Sequence, residues 1–244
     1  MAGPVLEVRD VSLNFGDLWA LRDVSIDVPE KRTIGLIGPN GAGKSTLLNV
    51  IAGRQAPSAG RIGFRGGDVT RSRAVARARH GIRRTFQDLA LFHEMSVLDN
   101  LLVAGDTARG GGARRAGVAT LVESLGLGPW LYREVQTLPH PVQRLVSYAR
   151  AVAGEPTLLL LDEPAAGLSE SARALLAARL REDIAARGLS VVLVEHDMGF
   201  IRELCDEAYV LNAGRVIAFG SFAEIAASST VRAAYLGDSE DGEE

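Results

Sequence analysis

The segment from residue 38 to residue 45, Gly-Pro-Asn-Gly-Ala-Gly-Lys-Ser, constrains the fold of this 244-residue chain more than any other feature. It fits the pattern G-x-x-x-x-G-K-[ST] in full, between a short apolar segment, Thr33 to Ile37, and a segment with helical spacing that runs to about Ala52. Its glycines let successive backbone N–H groups converge on a polyphosphate, and the amino end of the following helix adds its dipole. The motif therefore predicts a phosphate-binding loop in which Lys44 contacts the β- and γ-phosphates and Ser45 contacts Mg²⁺.

Two later apolar segments end in polar side chains. Leu158 to Leu161 is followed by Asp162 and Glu163, and Val191 to Val194 leads to His196. Asp162 at the end of a strand can hold the Mg²⁺ shell, and Glu163 can polarise an attacking water. An ordinary strand-to-loop acidic pair is the alternative, which the phosphate loop disfavours. At the carboxyl edge of a parallel strand, His196 is predicted to contact the γ-phosphate.

The rest of the chain predicts an α/β core that is interrupted by a helical insertion. Alternating apolar residues before the loop indicate two strands, and a shorter strand pair is expected around Arg61 to Phe64 and Ile82 to Phe86. The spacing is helical from about Gln87 to Gly154, and strands and helices alternate again beyond it. We expect a discontinuous core (residues 1–86 and 155–237), a helical signalling subdomain (87–154) and a disordered acidic tail (238–244).

The insertion contains one segment of irregular composition and one residue at a special position. Gly105 to Gly117 is rich in glycine and arginine, which predicts a mobile loop. Gln87 lies where the core gives way to the insertion. At that junction its side chain is predicted to sense Mg²⁺ and the attacking water while moving the insertion.

Composition and charge exclude several classes of protein. The lone Cys205 supplies neither a disulfide framework nor a zinc set. With 27 Lys and Arg against 30 Asp and Glu, the net charge of −3 provides no global basic field for nucleic acid. No leader-like segment is visible, and no window reaches the roughly 18 apolar residues of a membrane span, so any service to a membrane is expected to occur by docking. An arginine-rich stretch is interpreted as a solvated helix face rather than a nucleic-acid site: Arg71, Arg73, Arg77, Arg79, Arg83 and Arg84.

Together, these motifs resemble the ATP-binding subunit of an ABC transporter over essentially the whole chain. Gly167-Leu168 also falls in the family's order, between Glu163 and His196. Within the family the chain looks most like the ATPases of branched-chain amino-acid uptake. That closer resemblance is carried by four segments: Arg84 to Gln87, Met95 to Ala104, Asp162 to Leu168 and Val231 to Gly237.

The resemblance implies a P-loop NTPase fold, with a RecA-like core, an antiparallel β subdomain and an inserted α-helical subdomain. It also implies that Phe15 stacks on adenine, that Gln87 joins Ser45 and Asp162 at Mg²⁺, and that Gln87, Glu163 and His196 act in hydrolysis. The phosphates of ATP would be bound by Gly38, Pro39, Asn40, Gly41, Ala42, Gly43, Lys44, Ser45 and Thr46. Implied partners are integral-membrane permease subunits, a second ATP-binding subunit in head-to-tail arrangement and, indirectly, a solute-binding protein, with the chain at the cytoplasmic face of the membrane.

One motif departs from the family pattern. Where relatives have L-S-G-G-Q, or in this branch something like L-P-Y-G-Q, this chain has Leu138-Pro139-His140-Pro141-Val142, followed by Gln143-Arg144. Pro141 is expected to open the last helix of the insertion, but a proline provides no N–H toward a phosphate. A subunit that binds ATP but hydrolyses it poorly therefore remains an alternative.

The sequence disfavours two other classes of P-loop protein and leaves the cargo open. A GTPase would need an N-K-x-D segment, and neither Lys31 nor Lys44 provides one. A DNA-repair ATPase of this kind would split its core around a long coiled coil, whereas the insertion of about 70 residues carries no sustained heptads. For the cargo, branched-chain or other hydrophobic amino acids are implied by the resemblance alone, and urea, lipid-linked sugar and lipopolysaccharide stay open.

Overall fold

The computed structural model describes residues 3–85, 89–106 and 113–236. The strands in these ranges are β1 (Leu6–Phe15), β2 (Leu18–Val28), β3 (Thr33–Ile37), β4 (Ala59–Phe64), β5 (Gly67–Asp68), β6 (Ile82–Arg84), β7 (Leu158–Asp162), β8 (Ser190–Val194), β9 (Glu207–Asn212) and β10 (Arg215–Ser221). The α-helices are α1 (Lys44–Ile51), α2 (Ala74–His80), α3 (Val97–Asp106), α4 (Ala113–Ser124), α5 (His140–Ala153), α6 (Glu170–Arg187), α7 (Met198–Leu204), α8 (Phe222–Ala227) and α9 (Ser229–Leu236).

The strands form two sheets. A four-stranded antiparallel sheet has the order β2-β1-β4-β5, and a six-stranded sheet has the order β10-β9-β3-β8-β7-β6. The larger sheet is parallel from β9 to β6, and β10 pairs antiparallel with β9. Because β3 lies inside this sheet, the phosphate loop that follows it begins at the middle of the carboxyl edge. The predicted α/β architecture, with an antiparallel β subdomain, is confirmed.

The two faces of the larger sheet pack against two separate apolar cores. Leu158 and Leu160 of β7 pack into the core that contains α1 and the antiparallel sheet. Leu159 and Leu161 point the other way, into the core that contains α5, α6 and α7. A parallel strand covered on both faces reads as a continuous apolar run, which is why the sequence of β7 does not alternate.

Two predictions, one about strand pairing and one about a mobile loop, are wrong in part. Strands β4 and β6 form near the predicted positions, with β6 ending at Arg84, but they do not pair with each other, because β4 pairs with β1 while β6 pairs with β7. Between them, α2 carries the chain from one sheet to the other. The predicted mobile loop from Gly105 to Gly117 is helical at both ends, since residues 105–106 close α3 and residues 113–117 open α4.

The remaining domain predictions are untested. Residues 107–112, the tail 238–244 and the junction at 86–88 lie outside the described residues. The domain boundaries at 86/87 and 154/155 therefore stay predictions.

The arginine-rich stretch is not a single solvated helix face. Arg83 and Arg84 lie on β6, and the side chain of Arg77 on α2 is only 1% exposed. The Arg77 guanidinium donates to the carbonyl oxygens of Val50 and Ile51 at the end of α1 (2.7 and 2.8 Å) and to those of two residues before α2, Ser72 and Thr70 (both 2.9 Å). Burial lowers its pKa to about 10, so it stays charged at neutral pH. A buried cation therefore ties the end of the phosphate-loop helix to the segment between β5 and α2.

We expect Arg77→Met to lower the free energy of unfolding by at least about 3 kcal/mol, because hydrogen bonds to charged groups contribute roughly 1.5–3 kcal/mol each and the carbonyls would remain buried. Urea unfolding followed by circular dichroism measures this change. The matched control is Arg79→Met on the same helix, where the side chain is exposed and the change should stay within about 0.5 kcal/mol. Equal effects of the two substitutions would contradict the assignment.

Candidate active site

The glycines of the phosphate loop are required for two different reasons. Gly38, Gly41 and Gly43 all have positive φ (148°, 77° and 101°), which disfavours residues with a Cβ. A Cβ on Gly38 would lie 2.0 Å from the carbonyl oxygen of Leu211, and one on Gly43 would lie 2.8 Å from that of Ala20. A Cβ on Gly41 would meet nothing within 4 Å. Neighbouring backbone therefore excludes a side chain at Gly38 and Gly43, whereas at Gly41 only the left-handed conformation favours glycine.

Lys44 opens α1 and is nearly buried, at 7% exposure. Its ammonium group donates to the carbonyl oxygens of Gly38 (2.7 Å) and Pro39 (2.8 Å), so the side chain folds back across the loop. Burial lowers the pKa of Lys44, and the charges of Glu163 and Asp162 oppose that shift. The sole lysine of the loop thus lies in the field of both predicted acidic residues.

Asp162 connects the phosphate loop to the edge of the sheet. Its Oδ1 accepts a hydrogen bond from the hydroxyl of Ser45 (3.2 Å), and its Oδ2 pairs with the guanidinium of Arg84 (2.8 Å). Arg84 also donates to Oδ1 of Asn49 on α1 (2.6 Å). Burial lowers the pKa of Arg84, and its ion pair with Asp162 opposes this. The predicted metal ligands Ser45 and Asp162 are therefore adjacent.

Glu163 and His196 meet at the same edge. Oε1 of Glu163 lies 3.0 Å from Nε2 of His196, and the Glu163 side chain is 20% exposed. Glu195, the residue before His196, is buried, and its carboxylate accepts the N–H groups of Ala165 (2.7 Å) and His196 (3.2 Å). Burial raises the pKa of Glu195. A partly exposed carboxylate with a histidine partner can polarise a water molecule.

An exposed apolar cluster flanks the loop. Phe15 ends β1 and is 54% exposed, and the first two residues of β2, Leu18 and Trp19, are also exposed. The next residue, Ala20, is the one whose carbonyl approaches Gly43. The stacking role of Phe15 stays a prediction. Gln87 lies outside the described residues.

The divergent segment 138–144 starts α5. The helix begins at His140, with Pro139 as its N-cap. Pro141 is therefore the second helical residue, whereas we predicted that it would be the first. The N–H groups of Val142 and Gln143 both donate to the carbonyl oxygen of Pro139 (2.9 and 3.1 Å). Between residues 139 and 141, only His140 carries a backbone N–H.

Sequence reasoning assigned no site role to four residues that the structure places here: Arg84, Asn49, Glu195 and Arg144. Position offered a signal for two of them. Glu195 directly follows β8, and Arg84 ends a strand that pairs with β7, so both belong to the edge where polar groups collect. Asn49 and Arg144 sit within helices, and nothing in their spacing distinguishes them from surface residues.

A phosphate loop at the end of an inner parallel strand, beside strand ends that carry paired acidic residues, defines a P-loop nucleotide-binding protein. The ABC transporter family matches residues 21–166 of the sequence. The chain belongs to this family, whose ATP-binding cassettes are ATPases. In the part of the chain that the structure describes, no helix is long and apolar enough to cross a membrane.

Named relatives match the chain from end to end. It is similar to the high-affinity branched-chain amino acid transport ATP-binding protein LivG of Salmonella typhimurium, with 35% identity over 98% of this chain and 100% of LivG. BraF of Pseudomonas aeruginosa, described in the same words, is 34% identical over 98% of the chain and 100% of its own length. The lipopolysaccharide export ATP-binding protein LptB of Acidithiobacillus ferridurans is 35% identical over 96% of the chain and 97% of its own.

Solved cassettes share the fold. A nucleotide-free ATP-binding cassette from an ABC transporter superposes with a TM-score of 0.84 at 28% identity, covering 95% of this chain and 98% of that one. The ADP conformation of an ABC transporter cassette gives 0.82 at 28% identity, with 96% and 99% covered.

We expect Lys44→Ala to remove most of the affinity for ATP, because the substitution deletes the point charge that lies across the loop. Isothermal titration of the full chain with ATP·Mg²⁺ measures the dissociation constant. Lys31→Ala is the matched control, since Lys31 lies before β3 and outside the loop. An unchanged affinity in Lys44→Ala would refute the loop assignment.

Proposed function

We propose that the chain hydrolyses ATP at the carboxyl edge of its parallel sheet and so powers an ABC importer. The observation that carries the proposal is the convergence of Lys44 and Ser45, at the amino end of α1, with Asp162 and Glu163, at the carboxyl end of β7. In this assignment, the backbone N–H groups of residues 38 and 40–46 and the Lys44 ammonium bind the phosphates, Pro39 shapes the loop without donating, and Phe15 stacks on adenine. The first-turn N–H groups of α1 suit this role because an α-helix leaves them without intrahelical partners.

The residues at this edge fit Mg²⁺. The Ser45 hydroxyl and the Asp162 carboxylate are hard oxygen ligands that lie 3.2 Å apart. Within the described residues no group of three or more His, Cys, Asp or Glu side chains could hold a metal by itself. Mg²⁺ is commonly bound by one or two protein ligands together with phosphate oxygens and water, so two ligands suffice. We propose Gln87 as a third contact, and the ion would neutralise charge on the phosphates.

Glu163 is proposed as the general base. Its carboxylate is partly exposed at the mouth of the site, and Nε2 of His196 lies within hydrogen-bonding distance. In this role Glu163 orients water and takes its proton, while His196 holds the Glu163 side chain and contacts the γ-phosphate.

We expect Glu163→Gln to retain ATP binding and to lower turnover at least about 100-fold, the usual scale for removing a general base. Glutamine keeps the size of the side chain and its contact with His196 but cannot accept a proton. Phosphate release and ATP affinity are measured together, and Glu182→Gln on the exposed face of α6 is the control. Wild-type turnover in Glu163→Gln, assayed with the transporter subunits present, would contradict the role.

We propose membrane permeases as the partners that turn hydrolysis into transport, with the chain at the cytoplasmic face of the membrane. A groove of about 350 Å³ lies between the sheet and the helices of the insertion. Its lining combines apolar Phe92 and Val103 with several arginines, and the Arg150 guanidinium lies 4.7 Å from the Phe92 ring centroid. Such a lining suits a permease helix that is apolar with an acidic residue, because charge and apolar surface would both be complemented.

The proposed cargo is branched-chain or other hydrophobic amino acids, delivered by a solute-binding protein to the permeases. The support is the likeness to LivG and BraF over their whole length. An ABC ATPase for another cargo, such as urea or lipopolysaccharide, is the second candidate, and the likeness to LptB favours it. Transport assays of the whole assembly with radiolabelled leucine distinguish them, since only the first candidate predicts ATP-dependent uptake.

The partner ATPase is proposed to be a different chain. The segment 138–144 of one subunit would face the γ-phosphate bound by the other, where backbone N–H groups and a helix amino end stabilise charge. Pro139 and Pro141 have no N–H, and the N–H of Val142 is already bonded to the Pro139 carbonyl. Losing one such donor typically costs about 2.7–4 kcal/mol of transition-state stabilisation. A homodimer would contain two impaired sites, whereas a heterodimer with an intact partner segment would contain one sound site.

We expect the double substitution Pro141→Gly/Val142→Gln to raise the ATPase rate of the purified homodimer by about tenfold or more, because it restores a backbone donor and a side-chain amide. Steady-state phosphate release at saturating ATP is the measurement. Val75→Gln on the exposed face of α2 controls for the added polar group. If the double substitution leaves turnover unchanged, the idea of an impaired segment is wrong.

A further inference from the structure

One side chain connects the segment 138–144 to the proposed catalytic base of the same subunit. Arg144 lies in the second turn of α5, and its NH1 group donates to the backbone carbonyl oxygen of Glu163 (2.9 Å). The bond is partly buried and spans two elements that belong to different layers of the fold. It reaches the backbone of Glu163 and leaves the carboxylate untouched.

The backbone of Glu163 is in a conformation that its own residue type disfavours. Its φ is +50°, in the left-handed region where a Cβ crowds the chain. Such conformations persist only where the surroundings enforce them, and they cluster at functional sites. At Glu163 the N–H donates to the carbonyl of Val194 (2.9 Å), while the carbonyl accepts from Ala166 (3.3 Å) and Arg144. Of these three restraints, only Arg144 comes from outside the 163–166 turn and the neighbouring strand β8.

The direction of the Glu163 carboxylate follows from this backbone conformation. Rotation about φ or ψ would swing the carboxylate away from Nε2 of His196, from which it is now separated by 3.0 Å. Displacements of about 1 Å at a reacting group can reduce a rate about 100-fold. A restraint on the carbonyl therefore acts on the geometry of hydrolysis without touching ATP.

The bond to Glu163 does not satisfy the whole guanidinium group of Arg144. Its buried Nε has no hydrogen-bond partner among the described residues. A buried donor without a partner costs folding free energy, and such groups call for an explanation beyond packing.

We propose that Arg144 is a positioning residue that holds Glu163 in its left-handed conformation and thereby links segment 138–144 to the base of its own subunit. The inference rests on the proposed function of Glu163 and goes beyond it. Since the start of α5 faces the ATP of the other subunit in that proposal, the bond makes the conformation of one base depend on contacts made at the opposite site.

The test compares Arg144→Met with Arg144→Lys in the full chain, with steady-state ATPase, the KM for ATP and the melting temperature as readouts. We expect Arg144→Met to lower kcat about tenfold or more while KM stays within about twofold and the melting temperature is unchanged. Arg144→Lys should recover part of the loss, since an ammonium can donate to the same carbonyl. Arg181→Met is the control, as this arginine lies on the exposed face of α6 and pairs with Glu203.

A double-substitution cycle with Glu163→Gln separates this inference from the proposed function. Because both residues would serve one step, Arg144→Met should cost no further turnover in the Glu163→Gln background. If Glu163→Gln loses turnover while Arg144→Met keeps kcat within about twofold of the wild type, the positioning role alone is overturned. A parallel change in KM and melting temperature without recovery by lysine overturns it as well. If Glu163→Gln keeps wild-type turnover, the assignment of the base fails and this inference fails with it.

Discussion

The rest of the site depends on one buried carboxylate, that of Asp162. It is 2% exposed, and moving such a charge out of water costs several kcal/mol unless partners compensate. The partners come from α1 through Ser45 and from the end of β6 through Arg84, while the N–H of Asp162 donates to the hydroxyl of Thr85 (3.3 Å). Buried pairs of this kind contribute little net stability, but removing one partner is costly, so they fix geometry. Because the Asp162 carboxylate must keep its partners Ser45 and Arg84, the phosphate loop and the edge of the sheet keep a fixed relative position.

A second buried charge anchors the helix of the insertion. The hydroxyl of Tyr148 on α5 donates to Asp183 on α6 (2.7 Å), and the same carboxylate pairs with Arg179 (2.6 Å). Burial raises the pKa of Tyr148 well above its usual value, which keeps the phenol protonated and able to donate. With the bond from Arg144 to the Glu163 carbonyl, two side-chain hydrogen bonds about one turn apart join α5 to the core, in addition to its apolar packing. These bonds fix the position of α5 relative to β7 and α6.

Sequence reasoning worked where one local pattern decides the outcome. The motif at residues 38–45 fixed the loop, and continuous apolar runs located β7 and β8, because strands buried on both faces need no alternation. It failed where a residue's partner lies far along the chain. Arg77 resembles its exposed neighbours in sequence, yet its carbonyl partners on α1 lie 26 and 27 positions away. The prediction that β4 and β6 pair failed for the same reason, because the local sequence of a strand does not indicate which sheet it joins.

The two kinds of glycine in the phosphate loop imply that its sequence is under two independent constraints. The backbone of β9 forbids any side chain on Gly38 whether or not the protein binds a ligand. Gly41 faces open space and needs only a left-handed backbone, which asparagine or aspartate can also adopt. A descendant released from selection for nucleotide binding would therefore be free to lose Gly41 and Lys44, while Gly38 would persist as a mark of the fold alone. Gly38 would therefore indicate that a protein has this fold, whereas Gly41 would indicate that its loop still binds a nucleotide.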